Sequence, residues 1–275
     1  MTQPWRPVRA GRLPGLSPWL HDLEPLTTGL LAQDGLKLWE VEGRALLGIR
    51  GGGVVYPVLP QGGHPDLAAG AREVLGRLGE SWCLMGPAPW VAVCEDWMPP
   101  SRVSHRVAYD FLVRPAGGPE VPGGPGELRP AASGDADALF ALQEAYEKEE
   151  VLFDPAEFQS LVSRLHFWKT LRRQEVAALW EAGRPLAKAG TNALTAHWAQ
   201  IGGVYTRPEY RGRGLQKRLM AFLLARLSAQ GRGACLFVKK ANLPAGRLYR
   251  SLGFQETCDF TIVYGQRLAW ELGSR

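Results

Sequence analysis

The chain has 275 residues, enough for two domains, and with 45% of them hydrophobic and 21% charged its composition is that of globular proteins with sizeable buried cores and does not call for disorder. A formal charge of +5 suits small anionic ligands, but the cations fall in local pairs such as Lys239-Lys240 rather than the long stripe that nucleic acid requires. Four cysteines, Cys83, Cys94, Cys235 and Cys258, form no C-x-x-C pair and no histidine-supported spacing, so neither zinc nor a redox dithiol is expected.

The opening MTQPWRPVRAGRLPG has no apolar core of a secretory leader, and the greasiest helical stretch, residues 219–227, is broken by Arg226 and too short for a bilayer. A cytoplasmic protein with no membrane partner is the simplest expectation. Residues 35–42 and 44–49 read as strands about a turn at Glu42-Gly43, followed by a third strand at 53–59. Gly51-Gly52-Gly53 leads into a strand rather than a helix, which makes it a hairpin turn and not a phosphate site. Residues 66–78 have helical spacing, with Leu67, Val74, Leu75 and Leu78 apolar. A strand at 81–85, a helix or extended segment at 91–97 and a strand at 105–113 complete a smaller α+β domain over residues 1–117. Residues 114–126, RPAGGPEVPGGPG, sustain neither helical nor strand periodicity, so 118–126 is expected to be a linker.

Beyond it, 126–130 supplies a strand, and Ser133, Asp135 and Asp137 open a helix with Leu139, Leu142 and Tyr146 on one face. Asp154-Pro155-Ala156-Glu157 reads as the capping-box start of a second helix carrying Phe158, Leu161, Val162, Leu165 and Trp168. Strands at 175–180 and 185–193 flank the turn Glu181-Ala182-Gly183, and a strand at 200–206 runs through a turn at Pro208 into the loop Arg211-Gly212-Arg213-Gly214. That loop lacks Cβ atoms at two places where amides can approach an anion. The helix it opens, 215–227, points its unpaired N–H groups and the roughly +0.5 charge of its dipole at the same spot. A short apolar run at 234–238 reads as a buried strand. Asn242 then suits an N-cap, Pro244 a first turn, Leu248 and Leu252 one face, and Gly253 a left-handed helix end.

In this order the pieces resemble the GNAT superfamily of acetyl-coenzyme A dependent N-acyltransferases. Its signature is a strand, an Arg-x-x-Gly-x-Gly/Ala loop, a helix, a strand and an Asn…Ala…Leu-Tyr…Gly-Phe segment. The loop match is Arg211, Gly212, Arg213, Gly214, Leu215 and Gln216, and it departs from the family at Gln216, where Gly or Ala is usual. The resemblance covers residues 127–275. It implies an α+β fold with a mixed sheet flanked by helices, in the order β-α-α-β-β-β-α-β-α-β-β. For residues 1–117 a degenerate copy of that fold is one reading.

The resemblance also implies acetyl-coenzyme A as co-substrate and no metal. The loop would hold its diphosphate, while Val204, Tyr205 and Thr206 would pair with its pantetheine arm where two strands splay, and Asn242 would contact the same arm. Tyr249 matches the tyrosine expected to give the departing thiolate its proton. The family often sets a carboxylate near the cofactor strand, but Gln200 and Gly202 stand there in this chain. Glu150 or Glu149, in the run Glu147-Lys148-Glu149-Glu150, is expected to take or relay the amine proton, with His197 a further candidate; a merely solvated helix end is the other reading of that run. Cys235 lies in an apolar strand, so direct attack in a ternary complex is favoured over an acyl-cysteine. The acceptor is expected to be a primary amine of a small molecule or peptide, in a pocket that Lys188, Thr191 and Asn192 line. Related enzymes often pair through their last strands, here near residues 260–264, which allows a homodimer. The alternative from another class is a coenzyme A-binding sensor or scaffold without turnover. A phosphoryl-transfer protein is disfavoured because no Gly-x-x-x-x-Gly-Lys-Ser/Thr occurs.

Overall fold

The computed structural model describes residues 5–8, 23–31, 35–41, 44–60, 62 and 65–267. The chain forms two compact units, one of Met1–Leu112, Phe237–Gly246 and Glu256–Arg275, the other of Val113–Leu236 and Arg247–Gln255.

The first unit holds strands β1 (Arg6–Val8), β2 (Lys37–Val41), β3 (Ala45–Arg50), β4 (Val54–Val58), β5 (Ser81–Pro87), β6 (Ser101–Arg114) and the last described strand, β12 (Gln255–Arg267). Their order is β1-β2-β3-β4-β5-β12-β6. Helices α1 (Glu24–Leu31), α2 (Pro65–Leu75) and α3 (Ala88–Glu95) accompany them. Leu47, Leu59, Leu67, Leu75, Leu84, Val91 and Val263 share one buried core. The three glycines at 51–53 turn β3 into β4, with Gly52 and Gly53 at φ 81° and 78°.

Several local expectations are corrected. The ambiguous segment at 91–97 is the helix α3, which begins at Ala88 because Pro89 fits a first turn where no amide is needed. Helix α2 stops at Leu75, just before Gly76, so Leu78 lies beyond it, although it is buried in the same core. Strand β12 replaces the two final strands among the described residues. It has β5 on one side, paired from Phe260↔Pro87 to Gln266↔Ser81, and β6 on the other. The turn at Glu42-Gly43 and residues 268–275 lie outside the described residues.

The second unit contains β7 (Glu127–Pro130), α4 (Ala136–Tyr146), α5 (Ser160–Arg173), β8 (Val176–Glu181), β9 (Arg184–Leu194), β10 (Trp198–Thr206) and α6 (Leu215–Ala229). It also takes the first four residues of β11 (Gly233–Lys239) and the last five of α7 (Leu243–Ser251). The strand order is β11-β10-β9-β8-β7; β10 and β11 are parallel and the other neighbours antiparallel. Strands β8 and β9 meet at a two-residue turn, Ala182 and Gly183, both with positive φ (47° and 75°), the twist that suits right-handed strands.

The second predicted helix is displaced. Asp154 accepts the Ala156 N–H but caps only a short 3-10 turn, Pro155–Glu157, and α5 begins at Ser160 with Phe158 outside it. Ser163, Phe167 and Leu171 form its buried stripe. Leu161, Val162, Leu165 and Trp168, expected to face the core, are exposed, because the contact with α4 is made through Phe167 on the opposite side of the helix. None of the described helices is long and apolar enough to cross a membrane, which says nothing about strands.

Candidate active site

After β10 the chain makes a 3-10 turn at Pro208–Tyr210 and enters the glycine loop. Gly212 and Gly214 take φ values of 75° and 73°, and Gly214 is the left-handed N-cap of α6, with no side-chain cap of its own. A Cβ added at either glycine would meet nothing within 4 Å, so the space above the loop is open. The first turn of α6 leaves its amides directed into that space, Arg218 N being the one that reaches back to Gly214 O at 3.2 Å. The two arginines turn elsewhere: Arg213 Nη2 donates to Glu209 O at 3.0 Å, and Arg211 donates through Nε to Thr206 O at 3.1 Å and through Nη2 to Glu149 at 2.8 Å. They brace the loop from outside. Gln216 does not crowd it, because its Oε1 accepts the Thr206 hydroxyl at 2.7 Å; its buried Nε2 has no partner.

Strand β10 is open along one edge. Its pairing with β11 covers Trp198, Ala199 and Gln200 opposite Gly233, Ala234 and Cys235 and ends there, while β10 continues to Thr206. On its other edge the ladder with β9 is interrupted between Gly202 and Tyr205, then resumes with Tyr205↔Lys188 and Thr206↔Ala187. Arg207 N donates to Leu186 O at 3.0 Å. In an antiparallel ladder, bonded and non-bonded residues alternate, so Tyr205 and Arg207 turn N–H and C=O toward β9 while Thr206, between them, turns its own to the open edge. That edge ends at the glycine loop. Of the three residues expected on it, Tyr205 therefore presents its backbone to the wrong side, and its side chain instead donates through Oη to Glu149 at 2.9 Å.

The bulge is built from Gly202 and Gly203. A Cβ at Gly202 would lie 2.1 Å from Asn192 Nδ2, and Gly203 has φ 61°. Lys188 Nζ donates to Gly203 O at 2.7 Å and sits 4.7 Å from the centre of the Tyr146 ring. Only 2% of Lys188 is exposed, and burial pulls its amine down to about 7 against the opposing charge of Glu147. Glu147 is itself held by Gln143 and the buried Ser163 hydroxyl, at 2.6 and 2.9 Å. The sequence marked Lys188 only as a pocket lining residue. The available signal was two adjacent glycines inside a strand, which announce a bulge.

Tyr249 is buried on α7 with its ring edge-on to Phe254, 5.9 Å between centres. Burial is the main reason its phenol titrates far above the ordinary range, and the charges of Tyr146 and Glu150 push the same way. Tyr146 titrates high for the same first reason, against a backbone hydrogen bond from Gly203. Tyr249, Tyr146, Glu150 and the bulge thus share one neighbourhood. The Arg211 guanidinium, then the Tyr205 hydroxyl, hold the Glu149 carboxyl below the usual range.

The other expected residues fall elsewhere. Asn242 caps α7, its Oδ1 accepting the Ala245 N–H at 3.2 Å. His197 precedes β10 at the end remote from Thr206, about 30 Å away along an extended strand. Thr191 is buried, bonded to Gln174 and to the Glu175 N–H, and Asn192 is exposed. Cys235 is fully buried opposite Gln200, where the sheet is still closed. Among the described residues one acidic cluster, Asp110, Glu256 and Asp259, has metal-ligand spacing, but Lys240 Nζ already lies 2.8 Å from Asp110 and 2.5 Å from Asp259.

An open strand edge running to a helix start whose first amides have no intrahelical partner is an arrangement that suits an acyl-thioester carrier. Residues 139–254 match the model of the acetyltransferase (GNAT) family. This part of the chain is a GNAT acetyltransferase domain. Among solved structures, a GNAT-family protein of Novosphingobium aromaticivorans is similar over 89% of this chain and 97% of its own, with 24% identity and a TM-score of 0.56. A Drosophila protein is similar over 95% and 98% of the two chains, at 12% identity and a TM-score of 0.67. A GNAT-family acetyltransferase of Colwellia psychrerythraea covers 90% and 96%, at 12% identity and a TM-score of 0.58. At these identities the likeness is one of fold. No curated protein matches the chain.

Proposed function

We propose that the protein is an N-acetyltransferase that uses acetyl-coenzyme A to acetylate a primary amine of a small molecule or peptide, by direct attack in a ternary complex. The observation that supports this reading best is the edge of β10 beyond Gln200, which pairing with β11 leaves open and which leads through the Pro208–Tyr210 turn to the Gly212–Gly214 loop. The fit to the co-substrate rests on the open space above the loop and on Gln216 turning back to Thr206. Bound there, acetyl-coenzyme A supplies a thioester carbonyl open to attack by an amine.

The amides that open α6, from Gly212 to Lys217, would hold the diphosphate, and Val204 would pair with the pantetheine arm. Asn242 is assigned to the same arm. Tyr249 keeps its proton throughout the physiological range, and its hydroxyl is proposed to donate a hydrogen bond to the departing sulfur as charge builds there. Glu150 is proposed to take the acceptor's proton, through water, as the amine nitrogen bonds to the acyl carbon and the carbon–sulfur bond breaks. Glu149 is already committed to Arg211 and Tyr205, which suits it to bracing the loop. The protein is proposed to be cytoplasmic.

Release of coenzyme A thiol from acetyl-coenzyme A, measured with a panel of primary amines, tests this function. Amine-dependent release supports it. Tight binding of acetyl-coenzyme A with no release for any amine would favour the sensor reading, which the absence of a carboxylate on β10 at Gln200 and Gly202 recommends.

A further inference from the structure

Lys188 is a charged residue in an apolar place, and no step of the reaction above uses it. Its neighbours are the Tyr146 and Phe167 rings, with centres 4.7 and 5.7 Å from Nζ, and no carboxylate pairs with it directly among the described residues. Burying an ammonium without such a partner is expensive, so a site that keeps one there draws something in return. What it touches is the carbonyl of Gly203, at the point where the β9–β10 ladder is interrupted. There the lysine supplies that carbonyl with a charged donor.

The peptide that carries Gly203 O also carries Val204 N–H. The unit is planar and trans, so the two groups point in opposite directions. With the carbonyl held by Lys188 Nζ, the Val204 amide is directed away from the lysine. We propose that Lys188 is a positioning residue for acyl transfer: by donating to Gly203 O it fixes and polarises the 203–204 peptide, so that Val204 N–H is the amide presented to the thioester oxygen. This rests on the acetyltransferase reading. A hydrogen bond to a carbonyl withdraws electron density from the peptide nitrogen, which makes its N–H a stronger donor, and a charged donor does so more than a neutral one.

The amine of Lys188 loses its proton near pH 7, so the strength of this polarisation varies over the pH range in which the enzyme would work. Among the described residues, the groups that bear on that titration are Glu147, whose charge favours the ammonium, and the Tyr146 and Phe167 rings. Tyr146 lies in turn within the fields of Glu150 and Glu147.

The test uses the full chain and two readouts. In the free protein, the Val204 amide proton is followed by NMR between pH 5.5 and pH 9, about a unit and a half or more to either side of the lysine's titration. The native protein should show an inflection near neutrality. It should vanish in Lys188→Gln, which can still donate to Gly203 O without charge, and in Lys188→Arg, which stays charged throughout. In turnover, Lys188→Gln should lower kcat about tenfold while acetyl-coenzyme A affinity by calorimetry stays within about threefold, and Lys188→Arg should recover part of the loss. An amide that titrates identically in native and variant proteins overturns the proposal, as does a Lys188→Gln enzyme with unchanged kcat. Because the NMR readout needs neither acceptor nor co-substrate, a protein that proved not to be an acetyltransferase would still report on the Lys188–Gly203–Val204 link.

Discussion

Arg211 Nη2 donates to the Glu149 carboxylate at 2.8 Å, and the two residues are 62 positions apart. Their contact ties the π-helical turn that follows α4, Glu147–Val151, to the loop that opens α6. Tyr205 Oη joins the same carboxylate, so the end of the open strand is held too. Arg211 thereby acts by shaping the loop, with its Nε on Thr206 O, more than by meeting an anion itself.

Arg211→Ala should therefore affect binding more than folding. Both partners are about two-fifths exposed, and ion pairs in that setting contribute roughly 0–1 kcal/mol. The melting temperature should hardly move, while acetyl-coenzyme A affinity falls about tenfold, or roughly 1.4 kcal/mol, as the loop loses its order. Calorimetry beside thermal denaturation separates the two. A large drop in melting temperature with unchanged affinity would reverse the assignment.

Tyr249→Phe should cut kcat by about two orders of magnitude and leave acetyl-coenzyme A affinity nearly intact, since the ring still fills its place against Phe254. Steady-state thiol release at saturating co-substrate measures the effect. Full activity in the variant would remove Tyr249 from the chemistry.

The two bulge glycines should differ. Gly203→Ala places a side chain at φ 61°, which costs about 1–2 kcal/mol, with Lys188 Nζ 3.1 Å from the new methyl group. Gly202→Ala meets only the exposed, rotatable Asn192 side chain and should cost less. Urea denaturation of the two variants checks the order; a larger loss at Gly202 would contradict it.

Lys188 also makes a stability prediction with a definite sign. Its amine titrates near 7 in the folded protein and near 10.4 in an unfolded chain. Between those values the unfolded chain binds a proton that the folded one lacks, so the lysine's contribution to stability rises with pH across that window. Below about pH 7 both states are protonated and the full cost of burying the charge is present. Denaturation of native protein and Lys188→Met from pH 7 to pH 10 should show the native protein gaining on the variant as pH increases. A constant difference would mean that the lysine is not buried as described.

What the sequence disclosed was local geometry written in residue type. The turns at Gly212 and Gly214 were legible because only glycine takes their φ values at no steric cost, and the helix that carries Tyr249 because it has its own cap and stop. The environment of Lys188 was not legible, since its burial depends on a bulge two strands' pairing creates and on rings from α4 and α5. The exposed face of α5 misled for a related reason. Leu161, Leu165 and Trp168 have ideal helical spacing, yet Phe167 and Leu171 have it too, and periodicity alone cannot say which stripe meets the core. Tyr205 shows the limit within a strand, where a single bulge decides which edge each backbone group faces.

The account stands on the amides that open α6 holding the diphosphate of the acyl carrier. A crystal structure with acetyl-coenzyme A tests that most directly. The expected result is diphosphate oxygens within hydrogen-bonding distance of backbone N–H groups between Gly212 and Lys217, with the pantetheine arm beside Val204. The contrary result is a ligand bound away from both, or crystals grown at high ligand excess in which that loop holds none.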